Sequence, residues 1–404
     1  MEEETGMKIA KALFASAAFA ALATPALAVD VTIGVLNDRS GLYADLAGEG
    51  SVVATRMAIE DFDAESKDIN VEVLSADHQN KPDVGSNIAR QWIDTESVDV
   101  IVDVPTSSVA LAVNEVVREK DKIFLASGPA TSDLTGKACS PNTIHWTYDT
   151  YSLANGTGKA MVQEGGDSWF FVTADYAFGH ALERDTQAVV EEAGGKVLGN
   201  VRHPLSSSDF SSFLLQAQAS GAKVIGLANA GGDTINSIKQ AAEFGIVQAG
   251  QSLAGLLIFS TDVAALGLET AQGLVLTNAF FADRNEDTKA FAERFKERHG
   301  KNPTMVQAGV YSSVLHYLKG VEATGSDEAS KVMEWMKANP SNDPIFGEAS
   351  VRKDGRHMHD MYLLKVKSPD AAQGEEDYFE LLATIPAEEA FRPIEDGECE
   401  MAKQ

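Results

Sequence analysis

The side chains able to do chemistry in this chain are small hydroxylated residues placed where apolar runs end. Thr106-Ser107-Ser108 follows the run Val98–Val104 and opens an amphipathic stretch. Hydroxyls beside the unpaired N–H groups of a helix start form a cradle for a carboxylate. Ser127-Gly128-Pro129-Ala130-Thr131 follows Ile123–Ala126 and again offers backbone groups and a hydroxyl. Further along, Asp175-Tyr176-Ala177-Phe178-Gly179, Asn229-Ala230-Gly231-Gly232 and Ser260-Thr261-Asp262 hold corresponding places. Any one of these loops is what plain helix capping produces. Their repetition in two halves of the chain points to a bound ligand.

The usual signatures of catalysis do not occur. The turn Asn37-Asp38-Arg39-Ser40-Gly41-Leu42-Tyr43 lacks a glycine-rich nucleotide fingerprint, and no P-loop, G-x-S-x-G elbow or H-E-x-x-H pair is present. His357 and His359 would share one face of a strand. They adjoin the Asp354-Gly355 turn, so exposed hairpin histidines are expected rather than metal ligands. The acidic run Glu60-Asp61-Phe62-Asp63 reads as a solvated helix end. No catalytic residue, cofactor or metal is expected.

The elements that must position the loops follow a βαβ rhythm. Val31–Leu36, Ile69–Leu74, Val98–Val104 and Ile123–Ala126 read as strands, alternating with helices over Gly50–Ala64, Asp83–Thr95 and Ser108–Lys120. The rhythm restarts after Tyr148. Helices are expected over Leu153–Gln163, Gly179–Ala193, Phe210–Ser220 and Thr234–Phe244, and strands over Trp169–Thr173, Gly194–Val201, Val224–Ala228, Leu256–Phe259 and Leu274–Thr277. Three helical stretches follow, Asp287–His299, Thr304–Ala323 and Glu328–Ala338, then a hairpin of Ala349–Arg352 and Met361–Lys367. This pattern predicts an α/β chain of two doubly wound parallel halves. Open α/β sheets bind ligands beyond the carboxyl ends of their strands, so the two sets of loops would face one another across a cleft.

Composition narrows the partners. From Met7 the chain reads MKIAKALFASAAFAALATPALA, with Lys8 and Lys11, a short apolar run and Ala26-Leu27-Ala28. These are the parts of a secretory signal peptide, with cleavage expected after Ala28 and Met7 as the expected start. The formal charge of −27 disfavours nucleic acid and anionic lipid. Cys139 and Cys399 are the two cysteines; an even count in an exported chain suggests one disulfide, tethering the tail Pro386–Gln404.

The segments VTIGVLNDRSG, VPTSSVALAV, FLASGPATSDLTG, TADYAFGHALERD, ANAGGDTINSIKQAAEFG and QAGVYSSVLHYLK, in this order, resemble the type I periplasmic solute-binding proteins of the Leu/Ile/Val-binding kind, which serve ABC importers. The resemblance implies two Rossmann-like lobes joined by a three-crossover hinge. Lobe I would take residues 29–147 and 280–345, lobe II residues 148–279 and 346–385, with 386–404 as a tail. It also implies a monomer in the periplasm that closes on a small carboxylate, most simply an apolar amino acid, and presents it to a membrane permease. Thr106, Ser107 and Ser108 match the family's carboxylate loop, and Pro129, Ala130 and Thr131 the loop that meets an α-amino group. Phe178 stands in for the aromatic of a tyrosine-glycine pair, with Tyr176 nearby. Asp262 falls where an acid can balance an ammonium, and Asn229 and Ala230 lie on a facing loop. Tyr43, Tyr148, Tyr151 and Tyr311 are further candidates to shape the apolar part. Aromatic, keto or short-chain acids without an amine are the alternative ligands; an exported enzyme or a sensory subunit is the alternative class.

Overall fold

A computed structural model describes residues 28–403; the signal peptide expected before Ala28 lies outside the described residues. The first lobe forms as β1 (Val29–Asn37), α1 (Gly48–Phe62), β2 (Ile69–Asp77), α2 (Pro82–Thr95), β3 (Val100–Asp103), α3 (Ser107–Glu119), β4 (Ile123–Ala126) and β5 (Thr143–His145). Its five strands are parallel, in the order β2-β1-β3-β4-β5. β3 and β4 are buried along their whole length, so they read as continuous apolar runs rather than alternating ones.

The second lobe begins with a helical stretch in which α4 (Thr150–Leu153) and α5 (Lys159–Gln163) flank a π-helical turn. β6 (Ser168–Ala174), α6 (Ala177–Glu192), β7 (Lys196–His203), α7 (Ser211–Ala219), β8 (Val224–Ala228), α8 (Gly232–Glu243) and β9 (Ser252–Gly255) follow, giving a parallel sheet β7-β6-β8-β9. The strand expected at Leu256–Phe259 is displaced. Pairing with β8 ends at Gly255, and the apolar residues beyond it form a buried loop. Apolarity there reflects burial without sheet pairing, Leu257 and Phe259 facing the first lobe and Ile258 packing into the core of the second.

Short helices α9 (Ser260–Leu266) and α10 (Leu268–Ala271) lead to β10 (Val275–Asn278). The chain then returns to the first lobe as α11 (Glu286–His299), α12 (Met305–Thr324) and α13 (Ala329–Ala338). α12 packs on α1, and all but a few of its residues are buried. Three short strands, β11 (Ser341–Asp343), β12 (Gly347–Val351) and β13 (His357–Met358), form an antiparallel sheet against α12 and α13, and Arg356 bridges to His145 of β5. The last crossing therefore falls at His359–Asp360, beyond the approximate 345/346 boundary that the resemblance implies. β14 (Met361–Val366) and β15 (Phe379–Ile385) join β10 in an antiparallel sheet of the second lobe. The lobes are thus linked by three crossings: after β5, after β10 and after β13.

The histidines beside the Asp-Gly turn are not exposed. His357 is 0% and His359 4% exposed. His357 stacks on Trp146 with ring centroids 4.0 Å apart and shares a 2.7 Å hydrogen bond with Ser341 Oγ. The turn lies against the hinge rather than in solvent, which short-range pattern does not reveal. Tyr311 is also placed away from the expected pocket: its hydroxyl donates to Asp61 at 2.7 Å, at the α1–α12 contact. Asp61 is held below the ordinary carboxylate range by Arg294 and Tyr311, so the acidic end of α1 is an ion-paired seam. Among the described residues no helix is long and apolar enough to cross a membrane.

Candidate ligand-binding cleft

The loops at the carboxyl ends of both parallel sheets meet, and each is held by its own lobe. After β1, the Asp38 carboxylate accepts from the backbone N–H of Gly41 and Tyr43, both at 2.8 Å, and from Asn80 Nδ2 at 2.6 Å. That clamp aims Tyr43 at the second lobe. After β3, Asp103 and Val104 take φ of 79° and 57°, a left-handed bend that is costly for a β-branched residue. The bend turns the chain into Pro105 and the start of α3. After β4, Gly128 packs so closely that a Cβ would lie 2.4 Å from Asp103 Oδ1 and 2.8 Å from Pro105 Cα. Its carbonyl accepts from the Tyr148 hydroxyl at 2.6 Å, and the Pro129 carbonyl is 2.7 Å from His145 Nε2.

The second lobe brings Tyr176 and Phe178 from the start of α6, and Ala230 from the loop after β8. Gly231, at φ 58°, lets that loop approach the first lobe: a Cβ there would lie 2.8 Å from the Leu42 carbonyl. The hydroxyls of Tyr43 and Tyr176 meet at 2.5 Å across the cleft. On the rim, Ser132 Oγ and Thr150 Oγ1 donate to Asp185 at 2.7 and 2.5 Å, and Arg184 pairs with Asp133 at 3.0 Å.

These loops enclose one small cavity. Tyr43, Leu46, Pro105, Gly128, Ala130 and Tyr148 wall it on one side; Tyr176, Phe178, Ala230, Leu257 and Phe259 wall it on the other. Three tyrosines and two phenylalanines line it, and no charged side chain does. The space left is about 10 Å³, room for roughly one water. The lobes are therefore closed, and anything larger enters only when they part. Burial drives the hydroxyls of Tyr43, Tyr148 and Tyr176 well above the ordinary tyrosine range, so all three are neutral donors.

The cleft gathers Tyr43, Gly128, Ala130, Tyr148, Tyr176, Phe178 and Ala230 among the residues singled out from the sequence. The others support it from behind or lie elsewhere. Thr106 donates to Asn80 Oδ1, Ser107 Oγ accepts from the Thr131 N–H at 3.2 Å, and Thr131 Oγ1 accepts from the Asp133 N–H at 3.3 Å. Ser108 is partly buried in the first turn of α3, and Pro129 is buried behind Gly128. Asn229 is tied within its lobe to Ser237 and Thr234, at 3.0 and 2.8 Å. The Asp262 carboxylate accepts from the Phe259 N–H at 2.9 Å, and burial pushes it up to about 7. Tyr151 is half-buried beside Glu192 and Arg392. Leu46, Pro105, Leu257 and Phe259 were not singled out. The alternation Leu257-x-Phe259 just past a strand was the available signal for two of them. A larger crevice of about 200 Å³ sits at the second crossing, beside Asn278, Phe280 and Lys301. Its mouth is exposed and it holds none of the strand-end loops of the first lobe beyond Asp45.

Two open α/β lobes closing on a cavity at their strand ends define a hinged binding protein. Residues 30–374 match the family model described as periplasmic binding protein, and the chain belongs to that family. It is similar to a periplasmic binding protein from Burkholderia mallei, with 48% identity and a TM-score of 0.90 over 92% of this chain and 99% of that one. A branched chain amino acid ABC transporter periplasmic ligand-binding protein from Burkholderia xenovorans is 39% identical, with a TM-score of 0.82 over 92% and 100%. The Leu/Ile/Val-binding protein homolog 6 of Brucella melitensis is 26% identical over 89% of this chain and 93% of its own.

Proposed function

We propose that this protein is the periplasmic substrate-binding subunit of an ABC importer, capturing a small carboxylate with an apolar body and presenting it to a membrane permease. It works by enclosure, with no bond made or broken. The observation that carries this reading is the uncharged, aromatic cavity closed between two lobes, adjoining the start of α3. The first N–H groups of a 13-residue helix lack partners within the helix and favour an anion. Ser107 accepts from the Thr131 N–H, which leaves its own proton to donate. A buried carboxylate is tolerable when such directed donors meet it. The Leu/Ile/Val names of the relatives support an apolar amino acid as the ligand.

A second reading is favoured by Asp262. Its carboxylate is engaged by the Phe259 N–H and does not wall the cavity. An amine-free acid, aromatic or keto, would need no acid partner there. One experiment separates the two: unfold and refold the mature chain to strip carried-over ligand, then measure melting shifts with amino acids and their keto- and aromatic-acid counterparts. A ligand at a thousandfold excess over its dissociation constant adds about 4 kcal/mol of stability. A shift with leucine and none with its keto acid supports the amino-acid receptor; the reverse supports the amine-free reading. If no small carboxylate shifts the melting point, the carboxylate proposal fails.

A further inference from the structure

The C-terminal segment does not trail from the second lobe; it crosses the hinge and is fastened to the first. β15 pairs with β14 in the second lobe, and Asn155 of that lobe donates to the Glu389 carbonyl. The segment then passes the third crossing, where the Ala387 N–H meets Asp360 Oδ1 at 3.2 Å. Phe391 is buried there, its ring 4.4 Å from the Arg356 guanidinium carbon and 5.4 Å from the His359 ring. On the first-lobe side, Arg352 Nη1 donates to the Arg392 carbonyl at 2.9 Å and Arg392 Nη2 to the Ser132 carbonyl at 3.2 Å. Finally Cys399 is bonded to Cys139, in the loop before β5.

We infer that residues 386–399 form a fourth, covalently closed connection between the lobes, which sets how far the cleft opens. The disulfide alone does not limit opening. Fully extended, the stretch from Ile385 to Cys399 would reach roughly 45–50 Å. The limit comes from the docked residues, and the disulfide keeps them docked by holding their local concentration high. Phe391 matters most in this dock. Arg356 is 0% exposed, and its Nη1 and Nη2 have no hydrogen-bond partner; Asp149 Oδ2 lies 3.6 Å from Nη1. The aromatic face supplies the guanidinium with a cation–π partner and excludes water from it. Lifting the segment would expose a buried charge at the point where two crossings touch, and so loosen them together.

The test measures lobe separation in the ligand-free chain, by electron–electron resonance between noncanonical spin-label residues at exposed Glu72 and Gln216. The intact chain should give one narrow distance distribution. Cys139→Ser/Cys399→Ser and, separately, Phe391→Ala should each add a longer-distance population. A chain folded with a protease site inserted after Asp396 and then cut keeps its disulfide but loses the connection; it should open like the double serine variant. Cleavage follows folding, so this arm decides even if a cysteine variant fails to fold. Unchanged distances after cutting overturn the inference. Opening in the double serine variant but not in the cut chain also overturns it, because the disulfide would then act only within the first lobe.

Discussion

The cleft and the hinge lie a few residues apart along the same chain and are built from opposite chemistries. The cleft is walled by tyrosine, phenylalanine and small apolar residues. The hinge buries Arg356, Asp149, His357 and His359 around Trp146. The difference follows from what each must do. In the proposed binding cycle the cleft surfaces separate and meet water, and neutral hydroxyls lose little on drying and rewetting. A charged wall would pay a desolvation cost at each closure. The hinge core is packed on every side, so its titratable groups keep partners there, as His357 does with Ser341 and Trp146.

The largest effect should come from the hinge. Trp146 is fully buried, its Nε1 donates to Ser312 Oγ at 2.9 Å, and Ser312 donates to Asp343 at 2.7 Å. Trp146→Ala removes the stack on His357 and leaves a cavity, which should cost about 3–5 kcal/mol in urea unfolding. Phe178→Ala in the cleft should cost visibly less, because one side of that ring faces a space that opens. Equal losses would mean that the cleft is as permanently packed as the hinge.

Acid should separate the regions next. Burial depresses His359 to about 3 and pushes His357 well below its ordinary range. The unfolded chain then binds more protons, so stability is present above about pH 6.5 and falls as pH drops towards 3, by roughly 1.4 kcal/mol per unit for each such histidine. His359→Gln should remove one histidine's share of that slope in unfolding measured from pH 7 to 4.5. Asp262, raised to about 7 behind the cleft, has the opposite sign. Its contribution is fully present below about pH 4 and is lost as pH rises from there to about 7. Asp262→Asn should therefore steepen the net loss of stability on acidification between about pH 7 and 4 and leave the slope above pH 7 unchanged.

The parallel sheets were legible because apolar runs and amphipathic stretches alternate at βαβ spacing. Ile123–Ala126 and Val224–Ala228 match the strands to the residue. The loops were legible as a set, since they recur after strands in both halves. What stayed hidden is direction. Thr106, Asn229 and Asp262 have the composition of ligand groups, yet their side chains point into their own lobe to hold a loop in place. Leu256–Phe259 read as a strand because burial outside a sheet and burial within one leave the same apolar signature. The short strands Thr143–His145 and Ser341–Asp343 carry too few residues to show a period. Long-range closure, such as Arg356 against β5, leaves no local trace.

The smallest effect tests the cleft's own seam. Tyr43 and Tyr176 share one hydrogen bond between lobes, and each keeps its ring in place by packing rather than by that bond. Tyr176→Phe leaves the ring and removes the hydroxyl, so stability should change by at most about 1 kcal/mol. The consequence for closure is different in kind. Without the bond the Tyr43 hydroxyl is left buried and unpaired in the closed form but is hydrated in the open one, which shifts the ligand-free population towards open. Ligand shown by the melting screen to bind should then associate faster and dissociate faster in Tyr176→Phe, measured by stopped flow. If instead only dissociation rises, the hydroxyl contacts ligand directly, and the seam belongs to the binding site rather than to the closing device.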